Sequence, residues 1–173
     1  MTVMQLESYA AGRWVAPAGR TTRLVSAVTG EPVAEIGSAG LDFAAMARHA
    51  REVGGPALRT LTFHQRAAIL KGLAQYLNER RDALYELSYE TGATKADSMI
   101  DIDGGIGTMF VYASKGRREL PDDVVYVDGA LEQLARDGKF VGQHIATSLH
   151  GVAVHINAFN FPVWGMLEKL APT

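Results

Sequence analysis

Apolar and polar residues change their spacing several times along this 173-residue chain, and each change predicts a different kind of element. Over the first forty residues, short apolar runs are cut by glycine-bearing turns. "ESYAAGRWVAP" reads as a hairpin with Ala11-Gly12 at its tip and Pro17 closing the second strand. "RLVSAVTGEPVAEIGSAG" repeats the form around Thr29-Gly30. From Leu41 the period becomes helical, through Ala44, Ala45, Arg48 and Ala50, and Gly54-Gly55-Pro56 is expected to end this first helix. Thr62 and Gln65 have the spacing of a capping box, and Phe63, Ala67, Leu70, Ala74 and Leu77 then recur every three or four residues. The polar run 78–82 breaks or bends that helix. Leu84 and Leu87 resume the stripe as far as Gly92, placed as a C-terminal cap after Thr91.

Thr94 and Asp97 mark another helix start, followed by Gly104, Gly105 and Gly107. Each glycine costs a helix about 1 kcal/mol relative to alanine, and close packing against a second element is the simplest compensation. After Pro121, "DDVVYVDG" suggests a short edge strand. "KFVGQHIATSLHGVAVHI" alternates and predicts two strands around residues 148–151. Residues 152–156 are apolar on both faces except for His155, which suits a parallel strand covered on both sides. Pro162 fits a first helical turn, so the end of the chain reads as strand, tight connection and helix, the first half of a βαβ unit.

Composition adds constraints. Seventeen basic residues against nineteen acidic give a net charge of −2, without the basic footprint of a nucleic-acid or anionic-membrane binder. There is no cysteine, so disulfides, thiolate zinc sites and cysteine nucleophiles are excluded within these residues. The N-terminal residues lack a secretory pattern, and no apolar stretch approaches the ~20 residues of a membrane span, which makes a soluble cytoplasmic protein the expectation.

Several chemical candidates have plainer explanations. "DGGIGT" lacks the third glycine of a dinucleotide fingerprint and reads first as a packing surface. His49, His64, His144, His150 and His155 show no metal-ligand spacing, so no metal site is expected. Asp97, Asp101 and Asp103 could do acid–base work, but a solvated helix face accounts for them; Arg80-Arg81 and Arg117-Arg118 read as surface charge. Asn157 and Asn160 have the character of turn and cap residues. Asn160 also follows a candidate central strand and precedes a helix, where ligands of α/β sheets bind. Its neutral amide could hold a carbonyl oxygen as it becomes an oxyanion.

The segment "INAFNFPVWGMLEKLAPT" resembles the P-W-N-F-P region of aldehyde dehydrogenases, with residues 159–162 matching W-N-F-P. "YAAGRWV", "VTGEPVAEI", "RAAILKGLAQYLNERRDALYELSYETGATKADS" and "GVAVHI" agree in order, so the resemblance covers essentially the whole chain. Within the family, "HINAFNFPVWGMLEKLAPT" and "ELPDD" look most like the dehydrogenase half of the bifunctional ring-opening enzymes of phenylacetate degradation, which oxidise a CoA-linked semialdehyde. Ala158 stands where the family commonly has proline and Phe159 where it has tryptophan, departures that fit this branch.

The resemblance implies an α/β fold class, the incomplete N-terminal part of an aldehyde dehydrogenase fold. Residues 1–40 would form a β-hairpin region and 41–138 a mainly helical part of the cofactor domain. Residues 139–150 would be bridging or oligomerisation strands, and 151–173 the first strand–helix of a Rossmann-like cofactor sheet. It implies that Asn160 helps form the oxyanion hole and that Ile156, Asn157, Ala158 and Phe159 lie along the nicotinamide side of NAD or NADP. Phe161, Gly165 and Glu168, four and three apart on one helix face, would border the substrate tunnel. In the family, a cysteine thiolate attacks the aldehyde, hydride passes to NAD(P)+ and water releases the acid. The family's cysteine, general-base glutamate and ribose-binding residues come later than these positions. The expectation is therefore a fragment, inactive alone, of a homo-oligomeric enzyme acting on a small aldehyde, and the choice between NAD and NADP stays open. The alternative is a stand-alone, non-catalytic interaction module of the same fold; against it stands the open edge that an unpartnered strand would expose.

Overall fold

The computed structural model describes residues 3–173 of the chain; residues 1 and 2 of the predicted hairpin region lie outside the described residues. The first strand, β1 (Met4–Gln5), precedes the expected hairpin of β2 (Ser8–Ala10) and β3 (Arg13–Val15), in which Tyr9 faces Trp14. Ala11 and Gly12 at its tip both have positive φ, 48° and 83°, the left-handed pair that matches the twist of a tight hairpin. The rings of Tyr9 and Trp14 meet edge to face at 5.1 Å. The second predicted pair also forms, β4 (Thr22–Val25) antiparallel to β5 (Pro32–Ile36), with Gly30 at φ 76° in the turn. β1 joins the free edge of β5 in parallel, a pairing across some thirty residues that alternation within either strand does not announce.

The helical part begins at α1 (Phe43–His49), capped by Asp42 onto the Ala45 N–H. The expected stop at Gly54-Gly55-Pro56 does not occur. The chain passes through a π-helical turn at Ala50–Gly54 and continues as α2 (Gly55–Arg59), with Pro56 in its first turn. The widened turn lets the Gly55 N–H reach back to the Ala50 carbonyl, so the proline, which has no N–H to give, falls where a new helical register is starting.

α3 (Phe63–Asn78) opens on the predicted capping box: the Gln65 N–H donates to Thr62 Oγ1 at 3.2 Å and the Thr62 N–H to Gln65 Oε1 at 2.9 Å. It ends within the polar run, where α4 (Arg81–Tyr89) takes over, and Gly92 follows with φ 85°. A second capping box, Thr94 with Asp97, starts the 24-residue α5 (Lys95–Arg118). Ala74, Ile102, Ile106, Met109 and Leu167 form the buried core, flanked by Leu70, Leu77, Leu84 and Phe110. Thus α5 is the central rod, contacted by α3, α4 and α6 (Pro162–Leu170), with α6 laid across Gly104 and Gly105.

Two of the three acidic residues on α5 are not a solvated face. Asp101 is buried, 3% exposed, and Asp103 accepts the Tyr85 hydroxyl at 2.7 Å. Only Asp97 is spent at the helix start. The predicted edge strand is longer than its sequence suggests: β6 (Val125–Gln133) pairs antiparallel with β7 (Val141–Thr147), so the hairpin begins inside the region expected to be mainly helical. Residues 152–156 form no ladder with any described strand. A parallel strand needs a neighbour to take its N–H and C=O groups. Without one, Val154 and Ile156 are exposed. No helix among the described residues is long and apolar enough to cross a membrane.

Candidate functional site

The site is built where α6 meets α5. Pro162 at the first helical position has no N–H, and the side chain of Phe161, at the N-cap, makes no capping bond. The next two donors are taken from outside the helix: Asp101 Oδ2 accepts from the Val163 N–H at 3.2 Å and Oδ1 from the Trp164 N–H at 2.7 Å. The Gly165 N–H then returns to the Phe161 carbonyl at 3.0 Å. One buried carboxylate therefore satisfies the donors that a helix start leaves open, and its charge sits at the positive end of the α6 dipole.

The glycines of α5 explain how α6 comes so close. A Cβ on Gly104 would lie 2.5 Å from the Trp164 ring, and one on Gly105 would lie 2.9 Å from the Trp164 Cα. Gly107 faces open space. The packing reading of "DGGIGT" therefore holds for the first two glycines, and the stretch lies inside a helix rather than in a phosphate-binding loop.

Two clefts flank the residues before α6. The larger, about 400 Å³, is lined by Ile100, Ala158, Asn160, Phe161, Gly165 and Glu168, with Trp164 and Lys169. The smaller, about 280 Å³, is lined by Gly92, Asp97, Phe159, Asn160 and Phe161, with Thr91 and Ala93. Asn160 and Phe161 belong to both and so form the ridge between them. Asn160 is exposed, and its amide makes no hydrogen bond to another described residue, unlike a turn or cap asparagine. Phe161, Gly165 and Glu168 all line the larger cleft. Ile156 and Asn157 line neither cleft and are exposed, and Phe159 is 90% exposed. Glu168 Oε1 lies 3.7 Å from Lys169 Nζ, which also donates to the Gly165 carbonyl at 2.7 Å.

Charge around the smaller cleft is set by Asp97. Hydrogen bonds from the Thr94 side chain and then its backbone N–H hold this carboxyl below the usual aspartate range. Behind α5, burial and then the Asp103 hydrogen bond push the Tyr85 phenol up. The histidines do not converge: no group of three His, Cys, Asp or Glu among the described residues is placed to hold a metal ion. Among the described residues the His155 ring hydrogen-bonds to Thr173, with Nε2 and Oγ1 3.2 Å apart. Sequence reasoning missed Ile100, Trp164 and above all Asp101 as parts of this site. The available signal was an acidic residue three and four positions ahead of paired glycines, which places a carboxylate and a notch on one helix face.

The model of the aldehyde dehydrogenase family matches residues 14–173. The chain belongs to the aldehyde dehydrogenase family. It is 41% identical, over 170 residues, to a 3,4-dehydroadipyl-CoA semialdehyde dehydrogenase of Aromatoleum evansii, covering 98% of this chain and 33% of the relative. The chain thus spans about a third of that relative's length. Among solved structures, an aldehyde dehydrogenase of Mycobacterium tuberculosis complexed with NAD+ matches with a TM-score of 0.72 at 24% identity, over 99% of this chain and 34% of the other. A point mutant of betaine aldehyde dehydrogenase from Staphylococcus aureus, in complex with NAD+, matches with a TM-score of 0.59 at 20% identity, over 74% and 26%. These likenesses establish the fold as the N-terminal part of an aldehyde dehydrogenase, the class expected from the motif. Residues 152–156, expected as the first strand of a cofactor sheet, form no ladder with any described strand.

Proposed function

We propose that these residues work as the N-terminal part of an NAD(P)-dependent aldehyde dehydrogenase that oxidises a CoA-linked semialdehyde of aromatic-acid degradation, in a phenylacetate-type route, to the acid. Asn160 carries the reading. Its amide is exposed and unengaged on the ridge between two clefts, inside the segment that resembles the family's N-F-P motif. The 41% identity to a semialdehyde dehydrogenase supports the substrate class. The NAD+ named with two structural neighbours supports the cofactor class.

The residues present fit part of such a cofactor. Exposed Ile156, Ala158 and Phe159 offer apolar surface to a flat ring, and Asn157 adds an amide. The α6 N-terminus is not free to hold a pyrophosphate, because Asp101 occupies it. NAD(P)+, when bound, accepts the hydride from the aldehyde carbon. In this reading the Asn160 side-chain N–H donates to the aldehyde oxygen as a cysteine thiolate adds and negative charge grows there. Phe161, Gly165 and Glu168 border the path of the aldehyde. The 173 residues contain no cysteine, and we place the nucleophile outside them and expect no aldehyde oxidation from them alone. We further assign the β6–β7 hairpin, with Val127, Leu131, Phe140 and Ile145 exposed, to homo-oligomer contacts, and the enzyme to the cytoplasm.

The test is Asn160→Ala in the full-length enzyme assayed with a CoA-linked semialdehyde. Loss of one oxyanion donor lowers kcat by about 10²–10³. A kcat within twofold of wild type removes Asn160 from the mechanism.

A further inference from the structure

We infer that Asp101 is a positioning residue for the reaction, holding Asn160 in place through the first turn of α6; the inference rests on the oxyanion reading of Asn160. Three observations carry it. Asp101 is 3% exposed, yet among the described residues no Lys, Arg or His pairs with it. A buried carboxylate needs a partner, and its partners here are the Val163 and Trp164 N–H groups and the positive end of α6. Second, α6 has no capping hydrogen bond of its own: Pro162 supplies no N–H, and the side chain of Phe161 makes no cap. Third, Asn160 stands immediately before that N-cap residue and is exposed, so its own side chain does nothing to fix it.

The same face of α5 sets the depth of the contact. Gly105 lets the Trp164 backbone approach, and Gly104 receives the Trp164 ring. Asp101 and the two glycines, one turn apart, act together as a seat for the start of α6. The hydrogen bonds fix its direction and the glycines fix its distance. A donor displaced by about 1 Å loses on the order of 10²-fold in rate, so a seat of this kind decides whether an otherwise untethered amide meets the reacting oxygen.

The experiment is a double-mutant cycle in the full-length enzyme, using Asp101→Asn, Asn160→Ala and the pair, with Asp103→Asn as a control on the same helix. Asp101→Asn keeps the size of the side chain but gives up one acceptor and the charge. The expected result is a fall in kcat of about tenfold or more with KM little changed. Hydrogen exchange at the Val163 and Trp164 amides should quicken, and the kcat effect should vanish once Asn160 is already alanine. Asp103→Asn should leave kcat in place. An unchanged kcat beside faster exchange overturns the inference. So does an equal loss of kcat with and without Asn160, because Asp101 would then act on the fold at large. If Asn160→Ala itself keeps wild-type kcat, the oxyanion reading fails and the inference falls with it. That outcome differs from the first two, in which Asn160→Ala is impaired and only the link to Asp101 is lost.

Discussion

Replacing Gly105 with alanine should destabilise the protein although alanine is the better helix former, and Gly107→Ala, half a turn away, should stabilise it. On propensity alone each change gains about 1 kcal/mol. At Gly105 the new methyl would sit 2.9 Å from the Trp164 Cα, 3.1 Å from its N and 3.2 Å from the Val163 carbonyl carbon, all backbone of α6. Carbon atoms rest at about 3.5–4.0 Å, so α6 must withdraw by roughly 0.6 Å or more. Overpacking of this kind costs about 1–3 kcal/mol. The withdrawal also stretches the 2.7 Å bond from the Trp164 N–H to Asp101, and hydrogen bonds to charged groups contribute about 1.5–3 kcal/mol. Part of that loss added to the overpacking outweighs the propensity gain, for a net destabilisation of about 1–4 kcal/mol. At Gly107 nothing lies within 4 Å of the added methyl, so the gain stands alone. Thermal unfolding of the two variants side by side should separate them by at least about 4 °C, at roughly 2–4 °C per kcal/mol for a domain of this size. Trp164 and the exposed Trp14 are the only two tryptophans, so intrinsic fluorescence should also report a moved Trp164 in Gly105→Ala. A Gly105→Ala protein as stable as Gly107→Ala, with unchanged emission, would refute the close approach of α6.

Two further outcomes follow from the helix starts. Thr62→Ala removes both the cap of α3 and the 2.5 Å bond from the Thr62 hydroxyl to Asp122, and should cost about 1 kcal/mol in urea unfolding; no change in midpoint would show that the capping box is idle. At the start of α5, Thr94 lowers the folded carboxyl of Asp97, so the stability this bond confers is complete above the ordinary aspartate range and is lost as pH falls through the lowered value. The stability gap between wild type and Asp97→Asn should therefore close on acidification below about pH 4, and a gap independent of pH would contradict the assignment.

What was legible in the sequence was local. Both capping boxes lie within a three-residue spacing, and the Ala11-Gly12 hairpin tip lies within a four-residue turn, so the residues that cause each feature are also the residues that display it. Gly104, Gly105 and Gly107 announced close packing because a cluster of three within four positions of one helix has to be compensated, though nothing in their spacing said that Trp164 was the neighbour of the first two. The π-helical turn was missed because the glycine–proline rule describes a helix with one fixed register, and this helix changes register to carry Pro56. The pairing of β1 with β5 and the missing ladder at residues 152–156 depend on what lies alongside, which alternation within a segment does not contain.

Asp101 and Asn160 show why the same limit matters for function. Each is a polar residue with a bland local explanation, a solvated helix face for one and a turn for the other. Environment separates them in opposite senses. The aspartate is buried and fully engaged at a helix start, and the asparagine is exposed and engages nothing among the described residues. Folding energetics account for the first arrangement, since a buried carboxylate is kept only where donors meet it. They do not account for the second, because an exposed amide gains nothing for the fold by standing on a ridge between two clefts. The oxyanion role proposed above would give that amide a chemical reason, and the inferred seat on α5 would be the means of holding it still.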